Sequence, residues 1–573
     1  MVNVKNLFGM AVMATALVGC SSNDNLAPDG KDNAGKPGEA YASFTINLPT
    51  TTGTRADGDP AGTPSFDNGD KNEYAVKDAT LLLFQKNASG DFVFKEFVDL
   101  GNMEPWTSSS TSGITTTAKL TAKITKAEVG ADKGYYALIV LNNNSGTAAK
   151  ITYPAEDQTY AEWSKNAANA TAANYMKYDN GFFMANAPKY VAGAPETLVE
   201  IKNIYASKQQ AENSTATTVY VERGLAKVSL ASTSAEHVDI TGGNYDGDKV
   251  DITGWTLDVT NTKTYPVHVT EGLWEDTWKI AATTAATNGA TMDRFHDTKL
   301  TEFPRVYWGL DPNYSTNFTT VPACEGEFTM ATKDNFKTGD EAKKAQYCLE
   351  NTFDIDHMVQ GQTTRVLFSA KYTPAGFDAN ETFYKIGNSS KLWHDADVVA
   401  QIKAKAQEVL GEANADKVTV KLDAEGNDMT KSGVYLVAAA NITHGETALT
   451  TEQVDQINTK LGLKKATITD AAVGLSTFES GVSYYIARVK HFNELTSWNP
   501  GDKTYDGNNA NWLGRYGVLR NNWYELSVSS VSGPGYPDVP KVNPTDPDDE
   551  NEQFINVEVK ILAWAKRSQS VEL

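Results

Sequence analysis

Cysteine is scarce in this chain, with three residues among 573. So few cysteines cannot form the disulfide scaffold that stabilises many small exported domains. No apolar run reaches the roughly 18 residues of a membrane-spanning helix. Basic residues are also few, 51 against 72 acidic ones, which gives a net charge of −21. Such a chain repels phosphate backbones, so we expect no nucleic-acid partner.

Motifs for catalysis are missing as well. The sequence contains no G-x-S-x-G, P-loop or H-E-x-x-H pattern. Short Asp/His clusters could form metal or acid–base sites, but in an acidic chain they are more often solvated loop groups. We therefore expect no enzyme, no catalytic residue, no metal and no cofactor. The clusters are Asp354–His357, His394–Asp397 and, as a calcium candidate, Asp246–Asp251.

What the chain does contain is typical of a folded protein: 40% hydrophobic and 10% aromatic residues. A disordered chain would be poorer in both. At roughly 150 residues per domain, the length allows about three or four units or two large β domains.

The N-terminus has the pattern of an export signal. Lys5 precedes an apolar stretch from Leu7 to Val18, which is too short to span a membrane but suits a signal peptide. Leu17 to Cys20 resembles a bacterial lipobox, in which the cysteine is lipidated and becomes the new N-terminus. We therefore predict lipidation at Cys20; a plain secretory signal is the alternative.

Export would place the two remaining cysteines in an oxidising compartment. Cys324 and Cys348 are the only candidates for pairing after Cys20, so we expect a disulfide between them. Two buried free thiols are the alternative. Neither cysteine has another Cys or a His at ligand spacing, which disfavours zinc.

The first predicted strand shows the two-residue period of a half-buried strand. Ala42, Phe44, Ile46 and Leu48 alternate with polar residues until Pro49. Further strands are predicted from their β-branched and aromatic content. They are 79–85, 92–100, 135–141, 218–222, 226–231, 255–259, 306–310, 365–371, 418–422, 434–439, 484–489 and 524–528.

Two helices interrupt the strands. One follows Asp395 or Asp397 and stops at Gly411; the other begins with a capping box of Thr450 and Gln453. A weaker helix is predicted between 160 and 175. Because strands and helices do not alternate regularly, we predict a mainly β fold of two antiparallel β-sandwiches with a few helical insertions.

The C-terminus combines a linker pattern with a strand pattern. Residues 531–552 hold five prolines and six acids against one lysine, which predicts an extended, self-repelling tether. The following residues alternate again, and a lone strand must pair with a sheet to satisfy its backbone. That sheet can be its own or a neighbour's. The apolar positions are Ile555, Val557, Val559, Ile561 and Ala563.

Taken in order along the chain, several segments resemble the fimbrillins of Bacteroidales, the subunits of type V pili, and most of all the stalk subunit of the minor fimbrium. No single motif establishes this resemblance; the order and spacing of all the segments establish it. The segments are Leu17–Cys20, Arg55–Ala56, Tyr135–Asn142, Phe183–Ala187, Val221–Val228, Trp255–Leu257, Thr260–Asn261, Val518–Tyr524 and Val557–Trp564.

The resemblance implies two transthyretin-like β-sandwiches and a mechanism of assembly. Family members are exported as lipoproteins and cut after an arginine by a trypsin-like protease, here between Arg55 and Ala56. The cut removes the first strand, and the C-terminal donor strand of a neighbour fills the groove. The implied partners are copies of this chain, accessory tip and anchor subunits, the protease, and host or bacterial surface receptors. The membrane is contacted only through the transient lipid.

These expectations divide the chain into a signal peptide (1–19), a propeptide with the removable strand (20–55) and two sandwiches (56–222 and 223–528). A linker (529–552) and the donor strand (553–573) follow. Alternatives are a tip or anchor subunit and a monomeric glycan-binding surface lipoprotein, for which Trp274, Trp278 and Trp512 could stack on sugars. Retention of the first strand would favour the glycan binder.

Overall fold

The structure is a computed structural model. It describes residues 39–49, 71–101, 107–108, 114–191, 194–270, 295, 304–314, 318–411, 416–466, 473–491, 513–548 and 555–563. The predicted signal peptide, Cys20, Arg55, Ala56 and the three tryptophans proposed for sugar stacking lie outside these residues. The fold is mainly β, as predicted.

Eleven strands precede Gly224 in the described residues. They are β1 (Ala40–Pro49), β2 (Ala79–Lys86), β3 (Phe92–Gly101), β4 (Thr107–Ser108), β5 (Ile114–Ile124), β6 (Gly130–Leu141), β7 (Met184–Asn186), β8 (Lys189–Val191), β9 (Ala194–Glu196), β10 (Val199–Ile204) and β11 (Thr217–Arg223).

Nine of these strands join in one sheet in the order β3-β2-β6-β7-β11-β1-β5-β4, with β10 on β6. The sheet encloses one hydrophobic core, to which β1, β2 and β6 contribute long apolar runs. Leu81, Leu82, Leu83 and Phe84 of β2 are all fully buried, so this strand is covered on both faces.

The core changes at Gly224. The buried residues of the first core lie at or before Leu225, except for Val267 and Leu349, and the second core begins with Ala226. A Cβ on Gly224 would lie 2.3 Å from the Tyr175 ring, so the close crossing requires glycine here. The change lies next to the predicted boundary at 222/223, although the full division into domains stays a prediction.

Twenty strands follow Gly224. They are β12 (Leu225–Leu230), β13 (His237–Asp239), β14 (Lys249–Asp258), β15 (Thr260–Asn261), β16 (Phe328–Thr329), β17 (Lys337–Thr338), β18 (Gln346–Leu349), β19 (Arg365–Thr373), β20 (Phe383–Ile386), β21 (Leu392–Trp393), β22 (Val418–Val420), β23 (Asp423–Ala424), β24 (Asn427–Asp428), β25 (Gly433–Tyr435), β26 (Ile442–His444), β27 (Thr447–Ala448), β28 (Leu475–Phe478), β29 (Val482–Arg488), β30 (Asn522–Val531) and β31 (Ile555–Ala563).

Two sheets form the second unit. One has the order β18-β12-β30-β31 and the other β13-β14-β19-β29, with β17 on β14. Trp255, Phe368, Tyr485 and Tyr524 are buried in the core that both sheets supply. In each unit the first strand runs parallel to a later strand: β1 to β11, and β12 to β30. Alternation within strands does not predict these two parallel pairs.

The helical insertion has a hydrophobic core of its own, made by residues between Tyr384 and Leu475. Its largest sheet has the order β21-β20-β28-β25. Val398, Ile402 and Ala406 of one helix and Val454 and Ile457 of another pack into this core.

The described helices are α1 (Lys71–Tyr74), α2 (Tyr160–Ser164), α3 (Ala172–Tyr175), α4 (Lys208–Asn213), α5 (Val321–Glu327), α6 (Asp395–Leu410) and α7 (Thr451–Lys460). The capping box at the start of α7 is confirmed: Thr450 accepts from the Gln453 amide, and Gln453 accepts from Thr450. Among the described helices, none is long and apolar enough to cross a membrane.

Two local predictions are wrong. The helix expected from 160 to 175 is divided into α2, a 3₁₀ turn and α3. Residues 306–310, predicted as a strand, are not in one. Instead Trp308 packs edge-to-face on Phe353 in an aromatic cluster, which explains their apolar character without sheet pairing.

The acidic linker also differs from expectation. Residues 531–548 run along the second unit rather than away from it, and Val531, Pro534, Pro540, Val542 and Asp548 are buried. The prediction of a solvated tether is therefore wrong for this part. Composition alone missed the backbone and side-chain contacts that hold the segment in place.

The structure contradicts the predicted disulfide, since Cys324 and Cys348 are both free and buried. Cys348 lies on β18 in the second core, whereas Cys324 lies on α5 in a separate small cluster with Phe318 and Phe328. Spacing along the sequence does not reveal that the two thiols belong to different cores. Burial also raises the pKa of Cys348 to about 12.

We predict two thiols per chain in a protein produced without the N-terminal residues that include Cys20. Titration with a thiol reagent should detect almost none in the native protein, because both are buried. Unfolding without reductant should expose two. Thiols that appear only after reduction would contradict the structure and restore the disulfide.

Candidate functional site: the first and terminal strands

β1 lies inside its sheet with a hydrogen-bonded neighbour on each side. It runs parallel to β11, where Phe44 is opposite Thr217, and antiparallel to β5, where Phe44 is opposite Leu120. The antiparallel ladder continues over almost the whole strand, from Ala40 opposite Ile124 to Pro49 opposite Ile114. Removing β1 would therefore leave two unpaired strand edges facing each other.

The inward side of β1 is a row of buried apolar side chains. Phe44, Ile46 and Leu48 are fully buried, and Ala40 and Ala42 are nearly so. Burial of a large aliphatic or aromatic side chain contributes roughly 1.5–3 kcal/mol. The three large residues of this row therefore contribute roughly 4.5–9 kcal/mol before the entropy of ordering the strand.

Polar side chains on β1 add specific cross-strand bonds. The hydroxyls of Ser43 and Thr121 lie 2.8 Å apart, and Thr117 donates to the Asn47 side chain at 2.7 Å. Tyr41 exchanges two backbone hydrogen bonds of 2.8 Å with Tyr205 at the start of the strand. These contacts fix the register of β1, because a one-residue slip would turn the apolar row outward.

The terminal strand β31 lies differently. It pairs antiparallel with β30 of its own unit, with Val557 opposite Val528 and Ile561 opposite Tyr524. Within the described residues β31 ends its sheet, so it has a strand neighbour on one side. Val557 is 6% exposed and joins the second core. Of the two docking modes left open by the sequence, the structure has the intramolecular one.

A buried ionic network lies at the junction of the two units, where β11 ends. Glu222 accepts from the Arg305 guanidinium at 2.6 Å, and its other oxygen lies 2.6 Å from Nδ1 of His268. Burial alone would raise the pKa of Glu222, but Arg305 and His268 outweigh it and lower the pKa to about 2. The carboxylate therefore stays charged and holds both partners. Sequence reasoning missed this network because its members are 46 and 83 residues from Glu222.

Glu73 of α1 is held at the same junction. Its carboxylate accepts from Lys227 at 2.8 Å and from the Tyr347 hydroxyl, while Arg223 donates to its backbone oxygen at 2.6 Å. Lys227 also stacks over the Trp523 ring. These contacts attach the segment after residue 70 to β12 and β18 of the second unit.

The acidic clusters singled out in the sequence have local structural roles. Asp354 caps a 3₁₀ turn by accepting from the Asp356 amide and lies 2.5 Å from His357. His394 pairs with Glu381 and stacks on Phe377. No group of three or more His, Cys, Asp or Glu side chains in the described part of the chain could hold a metal ion.

The Asp246–Asp251 loop is accounted for by protein contacts. Asp246 accepts from the Gly242 amide, and Asp248 accepts from the Ala375 amide and the Tyr372 hydroxyl. Asp251 lies 2.6 Å from His237. The three carboxylates therefore have separate partners instead of converging on one point.

Comparison with known proteins identifies the C-terminal part. The family model "Major fimbrial subunit protein type IV, Fimbrillin, C-terminal" matches residues 476–570. This range begins in β28 and contains β29, β30, residues 531–548 and β31. No curated protein matches the sequence.

Solved structures with similarity to the chain include a fimbrilin from Porphyromonas gingivalis, at 11% identity over 92% of this chain and 99% of that chain, with a TM-score of 0.35. Another is a fimbrial assembly protein from Parabacteroides distasonis, at 10% identity over 58% of this chain and 84% of that chain, with a TM-score of 0.27. Both scores are below 0.5, so the assignment rests on the match to residues 476–570. That match shows that residues 476–570 are similar to the C-terminal part of fimbrillins, the major subunits of fimbriae.

Proposed function

We propose that this protein is a fimbrial subunit that forms the stalk of a cell-surface fimbrium, most like the minor type, and supports adhesion and biofilm formation. It polymerises when the terminal strand of a neighbour replaces β1. The observation that carries the proposal is the position of β1: an inner strand with a fully buried apolar row, joined to the rest of the chain through residues 50–70, which contain Arg55.

Cleavage after Arg55 would break the covalent link between β1 and its own sheet. The new chain would begin at Ala56, and Glu73 would still attach the following segment to the junction of the two units. The rest of the first core would keep β2, β5, β6 and β11. Loss of β1 would then open a groove with two free strand edges and an apolar floor.

The terminal strand has the pattern that such a groove requires. Ile555, Val557, Val559, Ile561 and Ala563 repeat the two-residue period of Ala42 to Leu48 over a similar length. Main-chain hydrogen bonds to β5 and β11 would supply affinity, and the alternating side chains would set the register. The donor and the groove belong to different surfaces, so the contact is head-to-tail and generates an open filament.

Export as a lipoprotein fits this route, with Cys20 carrying the lipid until cleavage after Arg55 releases the mature chain. The stalk would be joined by accessory tip and anchor subunits, and surface receptors of host or bacterial cells would be its targets. A tip subunit needs a groove without a donor strand, so the terminal strand favours the stalk. An anchor would keep its lipid and its first strand.

One observation favours a second candidate, a monomeric surface lipoprotein that binds glycans. β31 pairs with β30 of the same chain, and β1 is in place in the uncleaved form. If both strands stay there, no groove opens and no filament forms. Mass spectrometry of the surface-extracted protein separates the two: a start at Ala56 selects the pilin, and a lipidated Cys20 selects the anchor or the glycan binder.

Arg55→Ala should prevent polymerisation, because β1 would remain covalently attached and its groove occupied. The variant should accumulate at the cell surface as monomer, detected by size-exclusion chromatography and electron microscopy. Arg55→Lys, which a trypsin-like protease still cleaves, is the matched control. Normal filaments made of uncleaved Arg55→Ala protein would exclude groove opening as the trigger.

Phe44→Ala should destabilise the uncleaved precursor by about 3–5 kcal/mol, the usual cost of truncating a fully buried phenylalanine. Thr45→Ala, on the other side of the same strand and only half-buried, should change stability by less than about 1 kcal/mol. Denaturant unfolding of the precursor measures both. Equal effects would mean that β1 does not pack as a core strand.

Truncation after Glu552 should abolish filaments and leave a cooperatively unfolding monomer, because most of the second core comes from other strands. Val557→Asp should act similarly, since it places a charge in an apolar site. Lys560→Glu, at one of the positions that alternate with the apolar ones, is the milder control. Unfolding or aggregation of the truncated monomer would mean that the second unit needs β31 in order to fold, which would favour the monomeric alternative.

A further inference from the structure

We infer that residues 531–548, called the strap below, stay bound to their own subunit during assembly. Only the chain beyond Asp548 then passes to the neighbour, a second copy of this protein that has lost β1. The inference rests on the proposed strand exchange and adds the point on the subunit surface from which the exchanged strand leaves.

The first part of the strap is paired to β29. Tyr536 exchanges two backbone hydrogen bonds with Tyr484, of 2.8 and 2.9 Å, and the Tyr485 hydroxyl donates to the Gly533 oxygen at 3.0 Å. Gly535 has a φ of +64°, and a Cβ there would lie 2.4 Å from the Tyr484 oxygen. The strap thus approaches β29 as closely as glycine allows.

The middle of the strap satisfies a buried arginine. Arg365 is fully buried; it donates to Asp258 at 2.8 Å and to the Pro540 backbone oxygen at 2.6 Å. Val542, two residues later, packs in the small core that contains Phe318 and Phe328. Lifting the strap would remove one acceptor from the buried guanidinium and expose this core.

The end of the strap is held by both side-chain and backbone hydrogen bonds. The Asp548 side chain is buried and accepts from the Thr363 hydroxyl at 2.9 Å. The Asp548 amide donates to the Met358 oxygen at 3.2 Å, and the Gln360 amide donates to the Asp546 oxygen at 2.9 Å. These two bonds flank a bridge between Val359 and Pro547. The strap therefore ends in a short antiparallel pair.

The charges that predicted a self-repelling tether are likewise engaged. Asp538 forms an ion pair of 3.0 Å with Lys333, and Asp548 is buried against Thr363. The acidic composition therefore does not lift this segment into solvent. Two of its three carboxylates, Asp538 and Asp548, have partners on the same subunit.

The strap and β31 differ in the free energy that would be lost if each were transferred to a neighbour. The backbone bonds of β31 to β30 would be replaced by equivalent bonds to β5 and β11 of a neighbour. The strap contacts to Arg365, Thr363 and Tyr484 are specific to its own subunit, and the proposed groove offers no substitute for them. Strand exchange is therefore close to balanced from β31 onward and unfavourable if it includes the strap.

A fixed strap shortens the reach of the exchanged strand. Seven Cα–Cα steps lead from Asp548 to Ile555, and an extended chain spans at most about 3.3–3.6 Å per step, or about 25 Å in all. A free tether from Val531 to Ile555 would reach about 80 Å by the same rule. The near end of the neighbour's groove must therefore lie within about 25 Å of Asp548, which requires closely abutting subunits.

Two engineered disulfides test the inference. The strap pin, Val359→Cys with Pro547→Cys, joins residues of a non-hydrogen-bonded antiparallel pair, whose Cα atoms are about 4.5 Å apart. The strand pin, Ser527→Cys with Glu558→Cys, joins opposite residues of β30 and β31. Both are made with Cys324→Ala, because Cys324 lies beside Gly361 and Pro544 and could mispair.

Each oxidised protein, cleaved after Arg55, is polymerised with and without reductant and followed by electron microscopy. We expect the strap pin to polymerise to the same extent oxidised and reduced, and the strand pin to polymerise only when reduced. A strap pin that blocks polymerisation reversibly would overturn the inference and leave strand exchange intact. A strand pin that polymerises while oxidised would instead contradict strand exchange itself.

Discussion

The fold of the first unit depends on a strand that is linked to the other strands of its sheet only through residues 50–70. β1 lies inside its sheet between β11 and β5, yet residues 50–70 separate it along the chain from the next element. An inner strand cannot be lost without exposing unpaired backbone on both sides and an apolar floor between them. The position must therefore be filled, either by β1 or by a strand of the same pattern.

In the proposed strand exchange, this requirement would couple assembly to the stability of the subunit. A subunit without β1 is an incomplete sheet, so a strand that completes it contributes folding free energy as well as binding free energy. The apolar row of β1 gives the scale, since Phe44, Ile46 and Leu48 are all fully buried. A substitute must bury a similar row in the same register to recover that stability.

The strand that would hold the incoming donor also leads to the domain junction. β11 ends at Arg223 and β12 begins at Leu225, with Gly224 alone between them. Glu222, at the end of β11, is paired with His268 and Arg305, and Arg223 donates to Glu73. A force applied to β11 by a neighbour would thus pass into a buried network of charges. Removing one member would leave another buried charge without its partner, which is strongly destabilising.

Patterns confined to a few residues could be predicted from the sequence. Three such patterns depend only on residues close in sequence, and the structure contains all of them. They are the alternation of β1, the apolar run of β2 and the capping box at Thr450. The parallel pairs of β1 with β11 and β12 with β30 could not be predicted, because they depend on which distant strands meet. The same holds for Glu222 with Arg305.

The two wrong predictions that were drawn from composition, the solvated linker and the disulfide, have one physical cause. Residues 531–548 are rich in proline and acids, and Cys324 and Cys348 are the only cysteines after Cys20. Each feature indicates a tendency, extension in one case and oxidation in the other. Tertiary contacts decide the outcome: Arg365 and Thr363 hold the acidic segment, and separate cores keep the thiols apart.

The parallel pairs also explain why a subunit would have one exchangeable strand rather than two. In both units the first strand lies beside a later strand and parallel to it. In the second unit that first strand, β12, is continuous with β11 through Gly224, so no cleavage near the N-terminus can release it. In the first unit, β1 is separated from the next element by residues 50–70, and a cut there releases it completely. In the proposed exchange, one removable strand and one terminal strand per chain would give each subunit a single groove and a single donor, and a filament built from them would have a defined direction.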